Sequence, residues 1–257
     1  MSPYLPPPRR PDLEVENALA RAALFRLLAR GFAYPGPGHV AEMGKAFADL
    51  DGAQRRRAFA PRLAARLSAA RQCWRSASGS ALGPEHLRLF HGSGPVSLHE
   101  TAYGDGRRFA GRPVEVADIG GFYLAFGLSI DETDPDLPDH LCAELEFVSL
   151  LLVKESYALS RAWTSRHRIA RAARRTFLEH HLGRWVGEFA RSVKRQETAP
   201  PYRSLADLLA ETVTSECRRL RIHPVLFEGR LCHDAMQEDA FACPRAEVAP
   251  EMRGHNT

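Results

Sequence analysis

The chain has 257 residues, 44% of them apolar, and a formal charge of +4. That length supports one sizeable core, or two helical subdomains that share one. No stretch approaches the ~18 continuous apolar residues of a membrane span, so nothing is expected to cross a bilayer.

At the N-terminus, Arg9-Arg10 is followed by Pro11, Asp12, Glu14 and Glu16, where an export signal would need an apolar run. Residues 1–11 are therefore a Pro/Arg-rich lead-in, and the protein is expected to be cytoplasmic. Val15, Leu19, Ala22, Phe25, Leu28 and Phe32 recur near 3.6-residue spacing and predict a helix over 13–32, closed by Gly31 and the Tyr34-Pro35-Gly36-Pro37-Gly38 breaker. Shorter helical patterns follow at about 39–50, 55–77 and 84–91. His91 to Pro113, with five glycines and two prolines, is expected to be mostly loop. Helical periodicity resumes over 114–126 despite Gly120-Gly121, a pair that costs roughly 1 kcal/mol per glycine and suggests a close approach, more readily a helix crossing than a ligand.

From Leu128 to Glu146 the chain carries Asp131, Glu132, Asp134, Asp136, Asp139, Glu144 and Glu146 and no Lys or Arg. This local negative excess in a basic protein points to a cationic partner, although acids at a helix start also compensate the helix dipole. Residues 131–138 form a proline-containing loop, and Asp139 is positioned to cap the helix that follows. The remaining helices are expected at about 139–162, at 166–195 with a break near Gly183, and at 203–221. From His223 the chain turns irregular.

No segment has the alternating pattern of a strand. The expectation is an all-α single domain of about 9–11 helices over 12–222, in halves of about 12–127 and 139–222 joined by an acidic hinge at 128–138, with an irregular tail over 223–257. The hinge invites exchange of halves between two chains, so a monomer with a minor swapped dimer is expected. Cys73, Cys142, Cys217, Cys232 and Cys243 are odd in number and lack CxxC spacing, which favours reduced thiols over a disulfide framework or a zinc clip.

Asp139, His140 and Glu144 are the one carboxylate–imidazole cluster that a helix places together. No glutamate stands three residues before any of the eleven histidines, so the di-iron bundle motif is absent, and no GxGxxG, GxxxxGK[ST] or GxSxG occurs. A binding surface remains, with a metal-dependent hydrolase using Asp139, His140 and Glu144 as the alternative. Glu100 and Tyr103, in the glycine-rich loop, precede a helix bearing Phe122, Tyr123 and Phe126. Aromatics near carboxylates suit an apolar peptide that carries arginine, while Phe122 and Phe126 also fit a core face. Between Arg161 and Arg195 ten Lys or Arg face only Glu179 and Glu188. That basic stretch fits a solvated surface or, less well, nucleic acid, since no recognised binding motif accompanies it.

The strings Leu98-His99-Glu100-Thr101-Ala102-Tyr103-Gly104, Ala117-Asp118-Ile119-Gly120-Gly121-Phe122-Tyr123-Leu124-Ala125-Phe126-Gly127-Leu128 and Pro138-Asp139-His140-Leu141 leading to Glu144-Leu145-Glu146-Phe147 together resemble the TorD/DmsD/NarJ family of cytoplasmic chaperones for dimethyl sulfoxide reductase-class molybdoenzymes. The resemblance spans about residues 15–220. It implies a non-catalytic role: binding the apo catalytic subunit and its twin-arginine signal peptide, assisting molybdenum cofactor insertion and preventing premature export. It places functional positions at Glu100, Tyr103, Tyr123, Asp139 and His140. With Phe126, Asp136 and Glu144 from the charge and aromatic pattern, these make the candidate client-binding set. No catalytic residue, metal or cofactor of the chain's own is expected.

Overall fold

Leu24, Phe25, Leu28 and Phe32 share one helical face, and all four are fully buried. The computed structural model describes residues 10–55, 58–104, 112–129 and 138–227. Among them the order is α1 (Arg10–Phe32), α2 (His39–Asp49), α3 (Asp51–Arg55), α4 (Pro61–Arg75), α5 (Gly79–Phe90), a 3-10 turn (Glu100–Ala102), α6 (Arg112–Ala125), α7 (Leu141–Ser160), α8 (Thr164–His180), α9 (Leu182–Arg195) and α10 (Pro200–Leu220). The fold is all-α, as expected. The described residues contain no sheet, only an isolated antiparallel bridge between His99 and His140.

The helix expected over 55–77 is two elements, because Pro61 opens α4 at the first helical position, where a missing N–H is harmless. The helix expected over 84–91 starts earlier, at Gly79, and runs through Pro84. The break expected near Gly183 falls at His181. Gly183 is required there: a Cβ at this position would lie 2.1 Å from the Leu178 carbonyl oxygen and 2.8 Å from Pro224. Gly121 differs from the reading made for it, since a Cβ there would meet open space and no neighbour approaches.

α1 packs along α7 more extensively than any other described pair, and α4 packs on α10. Elements from before and after the acidic segment thus share one core, which runs from Leu24 through Leu152 to Leu209. Inside it, Arg174 of α8 donates to Glu155 of α7 and Glu216 of α10, while Arg21 of α1 lies 3.2 Å from Glu216. All four side chains are buried. Their charges are mutually compensated, as burial requires, and the set ties four helices together. Cys73, Cys142 and Cys217 are free thiols. The lead-in over 1–9, the hinge residues 130–137 and the tail from 228 lie outside the described residues, as do Cys232, Cys243 and Asp136.

Candidate functional site

Asp139 does not cap α7. The cap is His140, whose Nδ1 accepts from the Cys142 N–H. Asp139 turns inward and is fully buried. Its carboxylate accepts from the Thr101 hydroxyl at 2.7 Å and the Thr101 N–H at 3.2 Å, and pairs with His99 Nδ1 at 3.1 Å. Burial alone would raise its pKa, but these hydrogen bonds outweigh it and hold the carboxyl below the ordinary carboxylate value. Backbone bonds from Glu100 N to Asp139 O and from Leu141 N to Leu98 O close the junction. The glycine-rich loop is thereby stitched to the start of α7.

Glu100 and Glu144 are brought into the same interior, each fully buried. The Trp185 indole donates to Glu144 Oε2 at 3.3 Å, and His181 Nδ1 lies 3.4 Å from Glu100 Oε2. Two carboxylates in a dry interior cannot both stay charged. Burial, with the repulsion of Glu100 and Asp139, raises Glu144 well above the ordinary value. Glu100 is pushed up by burial to about 7, against the opposing pull of His181. His181 Nε2 also meets Asp118 at 3.1 Å. Burial lowers the His181 pKa, and its two carboxylate partners more than restore it, for a net rise.

The aromatic members of the candidate set hold this centre in place. Tyr103 stacks on Trp185 at 5.2 Å and donates its hydroxyl to Ser97 O at 2.7 Å. Tyr123 donates to Pro138 O at 2.8 Å, and burial raises its pKa. Phe126 is half-buried, with its ring 5.8 Å from Phe147. The structure therefore gathers Glu100, Tyr103, Tyr123, Asp139, His140 and Glu144 around one junction, with almost no surface exposed to solvent. His181 and Trp185 complete the centre and were missed in the sequence. The run Leu182, Trp185, Val186, Phe189 and Val193 repeats at helical spacing and does mark Trp185 as inward.

Two surface grooves lie along α7, one at its start beside the junction and one at its end. One, of about 640 Å³, is lined by Tyr34, His86, Phe90, His99, His140 and Cys142 among others, so the Asp139–His99 pair shapes its wall. The other, of about 470 Å³, runs between the end of α6, the last turns of α7 and the start of α8, with Phe126, Val153, Tyr157, Trp163 and Ile169 in its lining. Tyr157 is 51% exposed and Ile169 62%. Among the described residues its charged lining consists of Lys154 and Arg166, and Arg166 stacks 4.2 Å from the Trp163 ring. Exposed apolar surface rimmed by polar groups marks an interaction site.

A hydrolase centre on Asp139, His140 and Glu144 has no support. The two carboxyls point to different partners, Thr101 and Trp185, and among the described residues no group of three His, Cys, Asp or Glu is arranged to hold an ion. No described helix is long and apolar enough to cross a membrane.

Residues 52–191, more than half of the chain, match the family model described as nitrate reductase delta subunit. The chain is 34% identical over 142 residues to the selenate reductase assembly chaperone protein of Thauera selenatis, covering 54% of this chain and 70% of that protein. It is 32% identical over 143 residues to the chlorate reductase assembly chaperone protein of Ideonella dechloratans, covering 56% and 72%. Over 208 residues it is 26% identical to the perchlorate reductase assembly chaperone protein of Dechloromonas aromatica, covering 80% and 92%.

Proposed function

The chain belongs to the nitrate reductase delta subunit family, and from that premise we propose that it is a non-catalytic assembly chaperone. Its client is the apo catalytic subunit of a dimethyl sulfoxide reductase-class molybdoenzyme, held in the cytoplasm during molybdenum cofactor insertion and kept from premature export. Relatives named as assembly chaperones of three oxyanion reductases support this reading.

The observation that carries it is the apolar groove of Phe126, Tyr157, Trp163 and Ile169. An exposed ion pair contributes about 0.2–1 kcal/mol, whereas micromolar affinity needs about 8 kcal/mol. At ~25 cal/mol per Å², that requires burying roughly 320 Å² of apolar surface before any entropic cost. Carboxylates alone cannot supply it; an aromatic groove can. The apolar stretch beside the arginine pair of the client's twin-arginine signal peptide is the part proposed to dock, because Lys154 and Arg166 in the described lining would repel the arginine pair itself.

Glu100, Asp139 and Glu144 are sealed from solvent, so their part in client binding is to hold the junction behind the groove of His99 and His140 rather than to touch arginine directly. Asp136 is proposed as a contact from the acidic segment. The direct test is co-purification with the molybdenum-free catalytic subunit of a dimethyl sulfoxide reductase-class enzyme from the same organism. A stable complex that dissociates when cofactor is supplied supports the reading; no complex with the apo subunit contradicts it.

A further inference from the structure

Gly121 stands in the middle of α6, exposed, and a Cβ there would meet nothing within 4 Å. It is not among the glycines with positive φ, so neither packing nor backbone conformation calls for glycine at this position. Glycine is a poor helix former and alanine the best, so α6 carries a weak point that the fold does not need. Together with Gly120 it makes a glycine pair, a common place for a helix to bend.

The mounting of α6 gives such a bend an effect. Before the pair, Ile119 is fully buried and Asp118 meets His181 at 3.1 Å, which fixes the first half. After it, the helix rests on α7 and α8 through ring contacts: Phe122 lies 5.5 Å from Phe177, while Tyr123 and Phe126 lie 4.9 Å and 5.8 Å from Phe147. Among the described elements the α6 backbone packs most closely on the 3-10 turn, not on these two helices. Rings touching at their edges slide where interlocked helix ridges cannot.

The second half ends at Ala125 and Phe126, which form the α6 wall of the groove of Tyr157, Trp163 and Ile169. Phe126 lies about 7.5 Å along the axis from Gly121, so a bend of about 20° shifts that wall by roughly 2.5 Å. At about 470 Å³ the groove is near the small end of ligand-sized clefts. A shift of that size decides whether a branched or aromatic side chain enters.

We infer that Gly121 is a specificity-determining residue of the chaperone: it lets the Ala125–Phe126 wall swing outward and so sets which apolar client segments the groove accepts. This rests on the proposal that the client docks in this groove. A wall that moves admits apolar stretches of differing shape, and a stiffer α6 holds the client less well.

The test compares Gly121→Ala and Gly121→Asn in the full chain. The added methyl group of alanine meets open space, so that variant folds. Alanine stiffens the helix most, whereas asparagine is bulkier and much closer to glycine as a helix former. Stiffness and bulk therefore predict opposite orders. In Gly121→Ala, hydrogen exchange at amides 121–126 should slow about two- to fivefold, and the Kd for the apo catalytic subunit of the organism's own dimethyl sulfoxide reductase-class enzyme should weaken by about the same factor. Gly121→Asn should lie nearer wild type in both. An alanine variant that binds as tightly as wild type, or tighter, overturns the inference, as does unchanged exchange at 121–126. An asparagine variant that loses more than the alanine one also overturns it, by assigning the effect to bulk. If Trp163→Glu weakens binding while Gly121→Ala does not, the groove stands and only the moving wall falls. If Trp163→Glu binds like wild type, the groove falls and the wall with it.

Discussion

The Thr101 hydroxyl donates to Asp139 at 2.7 Å with both residues buried. With the Thr101 N–H, His99 and two backbone bonds, this contact joins the glycine-rich loop to the start of α7. It makes Asp139 a strut of the site, and its removal acts on the fold before it acts on any ligand.

Asp139→Ala strands the Thr101 hydroxyl, the Thr101 N–H and the His99 ring. The expected destabilisation is about 3 kcal/mol, or roughly 6–12 °C in Tm for a chain of this size. Asp139→Asn should recover part of it. Thermal denaturation followed by circular dichroism checks this; an unchanged midpoint for the alanine variant contradicts the strut.

Removing Arg174 leaves Glu155 and Glu216 buried, with Arg21 alone to compensate them. Arg174→Met is expected to cost about 3–5 kcal/mol, read as a shift in the urea midpoint. A variant as stable as wild type would show that the network contributes nothing net.

The interior glutamates give stability a pH signature with a defined sign. Burial raises Glu100 from 4.5 to about 7 and raises Glu144 well above 4.5. In the unfolded chain both ionise at the ordinary value, so the folded state binds more protons above pH 4.5, and stability falls as pH rises through about 7. The raised His181 acts in the same direction, its stabilisation present below 6.5 and lost above its folded value. The depressed Asp139 acts oppositely, with stability lost as pH falls through and below 3.8. Urea midpoints should therefore be higher at pH 6 than at pH 8, and Glu144→Gln should reduce that difference. A Glu144→Gln variant with the wild-type slope contradicts a raised Glu144 in the folded state.

Much of the fold was legible in residue spacing, because faces such as Phe25, Leu28 and Phe32 or Leu145, Val148 and Leu152 repeat at the helical period and tertiary packing did not override them. The family motifs located the junction correctly but not its character. Carboxylates such as Glu100 and Glu144 read as surface charge in sequence; only the tertiary fold brings His181, Trp185 and Thr101 close enough to bury them. Asp139 looked like a cap for the same reason, since capping is a local signal and the Thr101 contact is 38 residues distant in sequence. The aromatic groove runs along the last turns of α7, at Val153 to Ala158, beyond the motifs that carry the family resemblance. The turn that presents Trp163, with Ala162 at φ 54, gives no periodic signal.

Client association is expected to be driven by apolar burial, with charge setting orientation. Raising salt from about 0.05 to 0.5 M screens exposed pairs and should weaken binding less than about tenfold. A loss of two or more orders of magnitude, measured by calorimetry, would instead assign binding to the basic stretch from Arg161 to Arg195 and a polyanionic partner.

The most direct measurement is calorimetric titration of the apo catalytic subunit of the organism's own dimethyl sulfoxide reductase-class enzyme into wild type and into Tyr157→Glu with Trp163→Glu. Both side chains are substantially exposed, so the unfolding midpoint should stay within about 2 °C of wild type. The expected result is a Kd weakened more than about tenfold, a loss above 1.4 kcal/mol. A Kd within about twofold of wild type, with the midpoint unchanged, would contradict the groove as the client's docking site.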